Sequence, residues 1–144
     1  MIVLVTGGRD YADRARMFAE LDRINTGAPV TLVVHGACGL SRTGVTISGD
    51  LRGADRWADE WSWSRGGAPL AVVAEWQVRR PDGGWQQNLS AGPERNARMV
   101  RHVRAMVIGL GAQALCLAFS GGSGTADCVR RARAAGIRVL EIDK

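Results

Sequence analysis

The run Ala114-Leu115-Cys116-Leu117-Ala118-Phe119 passes directly into Ser120-Gly121-Gly122-Ser123-Gly124-Thr125-Ala126-Asp127. An unbroken apolar run of this length fits a strand buried on both faces, as in a parallel sheet. From Cys128 the chain reads as a helix that stops at Gly136. Strand, glycine-rich turn and helix, in that order, aim backbone N–H groups at an anion. Gly121, Gly122 and Gly124 carry no Cβ, so a phosphate can approach the backbone closely. Ser123 lies within the turn, Thr125 adds a hydroxyl donor at the helix start, and Asp127 is expected in the first turn.

Working outward, the same alternation recurs. Residues 2–5 form a continuous apolar run that ends at Thr6-Gly7-Gly8-Arg9-Asp10. Asp10 fits an N-cap, and a helix is predicted from Tyr11 with Ala15, Phe18, Leu21 and either Ile24 or Ala19 on its apolar stripe. Residues 31–35 form a second strand, leading into Gly36-Ala37-Cys38-Gly39. Gly53-Ala54-Asp55 opens a helix carrying Trp57, Ala58 and Trp61. Residues 70–76 give a third strand. Pro93 fits the first position of another helix, whose stripe is Met99, Val100, Val103, Met106 and Val107. Residues 137–142 alternate in part and fit a strand at a sheet edge.

This order predicts a doubly wound α/β domain in three α/β/α layers. Right-handed crossovers that reverse direction after the third strand give five parallel strands in the order 3-2-1-4-5. The first and fourth strands are then neighbours at the switch point, where such sheets bind ligands. Residues 1–144 read as one domain with two long loops, an insertion at about 39–52 and a polar stretch at about 77–92. Both loops leave from carboxyl ends of strands and are expected to flank one crevice.

The bulk numbers agree. A length of 144 residues fits one domain, and 46% hydrophobic residues are enough for a core. No apolar stretch approaches the ~20 residues of a membrane span, and residues 1–5 lack the form of a signal peptide. A cytoplasmic protein is expected. The net charge is +5, and among the basic residues only Lys144 is a lysine. Arginine forks suit phosphate recognition, although an abundance of Arg, Ala and Gly also has a purely compositional origin. Cys38, Cys116 and Cys128 are far apart and odd in number, so neither a disulfide framework nor a metal site is expected, and no cofactor is implied.

Generic nucleotide motifs do not fit. No Gly-Lys-Ser/Thr follows the glycines, and neither turn is Gly-x-Gly-x-x-Gly. Four signatures in order are more specific: Thr6-Gly7-Gly8-Arg9; His35-Gly36-Ala37 with Gly53-Ala54-Asp55; Ala91-Gly92-Pro93-Glu94-Arg95-Asn96 with Met99; and Gly121-Gly122-Ser123-Gly124-Thr125-Ala126-Asp127. Together they resemble the YspA/YpsA-related branch of the SLOG superfamily over essentially the whole chain. The departure is about a dozen residues inserted between Cys38 and Leu51. The resemblance implies a Rossmann-like fold and a nucleotide or nucleotide-derived ligand. Among the superfamily's enzymes, the Lonely Guy phosphoribohydrolases carry Pro-Gly-Gly-x-Gly-Thr followed by acids, and a helix arginine. On this chain those positions fall at Gly121, Gly122, Gly124, Thr125, Asp127 and Arg95, with Ser120 in place of the proline and Cys128 in place of the second acid.

The expected binding residues are therefore Gly7, Gly8, Arg9, Gly36, Arg95, Asn96, Gly121, Gly122, Ser123, Gly124 and Thr125, with Asp127 and Arg95 the pair a hydrolase would require. Shortening of the acid by one methylene and loss of the second favour binding over turnover, since a shift of ~1 Å can reduce a rate about 100-fold. Two alternatives stand beside nucleotide binding: cleavage of a nucleoside monophosphate's N-glycosidic bond, and binding of single-stranded nucleic acid through the arginines. Several residues have a structural reading as well. Asp127 and Asp55 fit helix-start acids, Asn96 a backbone partner at a helix start, and His35 a satisfied core histidine. Trp57 and Trp61 fit a core stripe or the helix face of a homo-oligomer, whereas Trp76 and Trp85 fit stacking on a base.

Overall fold

Apolar runs of this kind demand cover on both faces, and in the computed structural model of the chain, which describes residues 1–39 and 51–143, they receive it. Among the described residues the order is β1 (Ile2–Thr6), α1 (Arg14–Gly27), β2 (Leu32–His35), α2 (Gly53–Ser64), β3 (Leu70–Ala71), β4 (Gln77–Arg79), β5 (Trp85–Gln87), α3 (Ala91–Leu110), β6 (Ala114–Ala118), α4 (Ser123–Ala134) and β7 (Arg138–Glu141). The main sheet is parallel throughout, in the order β3-β2-β1-β6-β7. This is the expected topology, because β6 and β7 are the fourth and fifth long strands of the sequence.

Alternate residues of β1 face opposite layers. Val3 and Val5 pack with Met17, Leu21, Ala58 and Trp61 of α1 and α2. Ile2 and Leu4 pack with Met99, Val103, Cys128 and Ala132 of α3 and α4. Each fully buried side chain of this size contributes about 1.5–3 kcal/mol. The central strand therefore ties both helical layers to one frame.

Four local expectations change. Helix α1 starts at Arg14 rather than Tyr11, and its N-cap is Asp13, whose carboxylate accepts from the Arg16 N–H at 2.9 Å. Tyr11 is kept out of the helix because its N–H donates to the Gly8 carbonyl at 3.1 Å. The buried stripe is consequently Met17, Leu21 and Ile24, and Ala15 is exposed. Strand β3 is two residues long, with one further bond from the Val72 N–H to the His35 carbonyl.

The stretch 77–92 is not all loop: β4 and β5 pair as an antiparallel hairpin. Gly83 supplies a φ of +86° at its turn, and Asp82 accepts from the Gly84 N–H. Its strands are mostly exposed and glutamine-rich, so they carry no apolar alternation to announce them. Helix α3 begins at Ala91, which puts Pro93 at its third position, where no intrahelical N–H bond is lost. It ends at Gly111 in a left-handed cap. Of the inserted loop, residues 40–50 lie outside the described residues. No helix among the described residues is long and apolar enough to cross a membrane.

Candidate functional site

Because β1 and β6 are neighbours, the turns that follow them lie side by side. The Gly8 N–H donates to the Ser120 carbonyl at 2.8 Å, and the Phe119 N–H to the Thr6 carbonyl at 2.9 Å. Two glycines permit this approach. A Cβ on Gly7 would lie 2.6 Å from the Ala54 Cβ, and one on Gly121 would lie 2.7 Å from the Gly8 nitrogen. Gly122 and Gly124 differ, since a Cβ on either meets nothing within 4 Å. Gly122 is also the N-cap of α4, so no side chain caps that helix. Its first-turn N–H groups have no intrahelical acceptor.

A cavity of about 740 Å³ opens at the carboxyl ends of β1, β2 and β6. Gly7, Gly8, Arg9, Gly36, Arg95, Asn96, Gly121, Gly122, Ser123, Gly124 and Thr125 all line it. Asp127 does not. It lines an adjoining cavity of about 790 Å³, which shares Arg9, Cys38, Arg95, Asn96, Ser123 and Gly124 with the first.

Long-range hydrogen bonds fix the rim. Arg95 donates from Nε to Asn96 Oδ1 at 3.0 Å and from a terminal nitrogen to the Gly36 carbonyl. Buried Asn96 donates from Nδ2 to the Gly124 carbonyl at 3.0 Å and to Asp127 Oδ2 at 3.1 Å. Asp127 lies just past the first turn of α4 and also accepts from Arg131 at 2.8 Å and from Arg130. Burial pushes the Asp127 carboxyl up, but the bonds from Arg131, Asn96 and Arg130 outweigh it and hold the pKa below its ordinary value.

Asp55 proves to be more than a helix-start acid. It is buried and lines the cavity, and its two oxygens accept from the Gly36 N–H at 3.3 Å and the Cys38 N–H at 2.8 Å. This bond pair shapes the turn after β2, where Ala37 adopts a φ of +50°. Burial, and next Asp55, raise the Cys38 thiol pKa. A thiol held protonated is a poor nucleophile. His35 is fully buried and outside the cavity lining. Its Nδ1 accepts from the Ala37 N–H, so the ring proton belongs on Nε2, 3.1 Å from Asp59 Oδ1.

Trp61 is core and donates to Asp22, while Trp57 donates to the Tyr11 carbonyl. Trp76 lines the adjoining cavity, whereas Trp85 lies in a separate groove beside β3 with Arg79 over its ring. Asp10, Tyr11, Asp13, Cys38, Asp55 and Ser120 line the main cavity without having been singled out as ligand-binding residues. Asp55 and Ser120 carried a signal, the first in the Gly53-Ala54-Asp55 signature and the second at the proline position of the glycine-turn motif.

Parallel-sheet topology with paired glycine turns at the switch point and an arginine-bearing helix start defines a Rossmann-like fold class. The chain belongs to the YspA, cpYpsA-related SLOG family, whose model matches residues 1–41. It is 35% identical over 141 residues to the Gene 61 protein of Mycobacterium phage D29, covering 96% of this chain and 93% of that one. Among solved structures, a universal stress protein family member from Burkholderia pseudomallei aligns over 99% of this chain and 96% of its own, with 18% identity and a TM-score of 0.41. That likeness is too slight to bear on function.

Proposed function

We propose that the main cavity binds a nucleotide or nucleotide-derived small molecule: a nucleoside phosphate, an ADP-ribose-like compound or a signalling nucleotide. Its phosphate rests on the turn from Gly121 to Thr125, with Arg9 and Arg95 supplying positive charge. The observation that carries this reading is the uncapped start of α4 opening beside two arginines into a cavity of about 740 Å³. A helix N-terminus favours an anion by about 0.3–1 kcal/mol, up to ~2 when partly buried. Each charge-assisted hydrogen bond adds about 1.5–3 kcal/mol. Open space above Gly122 and Gly124 leaves room for the phosphate itself. Membership of the SLOG family supports nucleotide-related chemistry.

Binding fits better than turnover. The hydrolase reading needs the Asp127 carboxylate to face a ribose or a water, and here three side chains donate to it. In our reading Asp127 positions Asn96 and the start of α4.

The test is a thermal-shift and calorimetric screen of nucleotides, with chromatography of each mixture for released base. Bound nucleotide raises the melting temperature, and Gly122→Asp, which puts a carboxylate in the phosphate's place, removes the shift while the variant stays folded. No shift with any nucleotide, or a shift that survives Gly122→Asp, overturns the reading. Free base in the mixtures restores the hydrolase. A salt-sensitive complex with single-stranded DNA in place of mononucleotides points to the arginine surface instead.

A further inference from the structure

The adjoining cavity is built differently from the first. Beyond the shared wall it is lined by Arg52, Trp76 and Asp127. The Asp127 charge is already engaged by Arg130 and Arg131, so Arg9, Arg52 and Arg95 leave this chamber electropositive. The main chamber, by contrast, also carries Asp10, Asp13 and Asp55, the last bonded to the Cys38 N–H of the shared wall. Arg9 and Arg95 meet Ser123 and Gly124 of the α4 N-terminus at the wall between the two.

Trp76 stands in the second chamber with 42% of its surface exposed. Its backbone is pinned. The Asn88 N–H donates to the Trp76 carbonyl at 2.7 Å, and Asn88 Nδ2 donates to the Glu75 carbonyl and to Glu94 at the start of α3. The ring reaches the first turn of α3, where a Cβ on Gly92 would lie 3.6 Å from its far edge. An indole held by its backbone, partly exposed and lining one chamber with three arginines, is suited to stack a planar ring.

Each chamber alone lies in the ~300–1,000 Å³ range of whole small-molecule sites. A nucleoside monophosphate with its phosphate at the shared wall occupies only one. We propose that the two chambers hold the two ends of a single ligand. Its phosphodiester or pyrophosphate bridge sits at the wall formed by Arg9, Arg95 and Ser123, and a heteroaromatic ring at one end stacks on Trp76. This inference rests on the phosphate site proposed above and names its ligand class: a compound with a group on each side of the phosphate.

Calorimetric titration with AMP and with diadenosine diphosphate tests it, on the wild type and on Trp76→Ala, Trp76→Phe and Gly122→Asp. The bridged compound should bind about 10-fold or more tightly than AMP, in line with the strength of base–aromatic stacking. Trp76→Ala should remove most of that advantage by weakening the bridged compound more than AMP, Trp76→Phe should restore most of it, and Gly122→Asp should abolish binding of both. Equal affinities for the two compounds, or equal weakening of both by Trp76→Ala, overturn the two-ended ligand while AMP binding keeps the phosphate site. Absence of binding by either compound overturns the site and the inference together.

Discussion

Tyr11 is the chain's single tyrosine, and its hydroxyl is buried with no hydrogen-bond partner among the described residues. The ring packs on Phe119 with centroids 5.0 Å apart. Burial, then the carboxylates of Asp143 and Asp13, push its pKa up to about 12. The fold thus favours the protonated phenol. That contribution is complete below the ordinary value near 10 and disappears as the pH rises through about 12. Because no other tyrosine absorbs, a spectrophotometric titration of tyrosinate reads this group alone; we expect a half-point near 12, moving to about 10 in denaturant. Tyr11→Phe should melt at or above the wild-type temperature, since it removes a buried polar atom without orphaning a partner. A half-point near 10 in the folded protein would refute the assignment. Tyr11 also illustrates what was legible at the site. That Gly121 to Thr125 and Arg95 would line one cavity could be read, because a glycine turn before a helix and an arginine in a helix's first turns advertise their chemistry locally. The roles of Asp55 and Asn96 could not, because their acceptors and donors lie 17 and 28 residues away, at Cys38 and Gly124.

At the level of elements, the glycines divide into two kinds that the sequence does not distinguish. Gly53, at the start of α2, has a φ of +58°, and a Cβ there would lie 2.2 Å from the Gly8 carbonyl oxygen and 2.6 Å from the Arg9 Cα. Those are backbone atoms of the cavity turn, to which the Ala54 N–H also donates. Gly122, in contrast, has a φ of −95° and open space. Gly53→Ala should therefore cost about 2–4 kcal/mol, from left-handed strain plus displacement of the β1 turn. Gly122→Ala should cost less than ~1 kcal/mol while still weakening ligand binding. Urea unfolding of the two variants decides the matter; equal losses would mean that the turn, and not α2, absorbs the added methyl. The long apolar strands were readable for the opposite reason, since burial on both faces leaves no choice of pattern. The hairpin of β4 and β5 was hidden because polar strands need only turn chemistry, and the start of α1 slipped by three residues because Asp10 and Asp13 both suit an N-cap.

Across the whole molecule, one chain of polar contacts ties together the loops at the carboxyl edge of the sheet. It runs from the Gly36 carbonyl through Arg95 and Asn96 to Gly124 and Asp127, joining the turn after β2 to α3 and α4. The hydrophobic layers set the fold, but this chain sets the distance between the walls of the two chambers. Its charged end is Asp127, whose pKa the fold holds below the ordinary carboxylate value despite partial burial. A carboxylate lowered in this way stabilises the protein above about pH 4 and ceases to do so as the pH falls through the lower folded value. Asp127→Asn should be less stable than the wild type by about 1–2 kcal/mol at neutral pH, a figure reduced for the solvent that reaches Arg130. The gap should close as the pH drops below about 4, because the wild-type group is then neutral as well. Paired denaturant melts across that range provide the comparison. A gap that stays constant into acid would mean that the residue acts through shape and not charge, and that the α3–α4 contact holds the chambers apart without it.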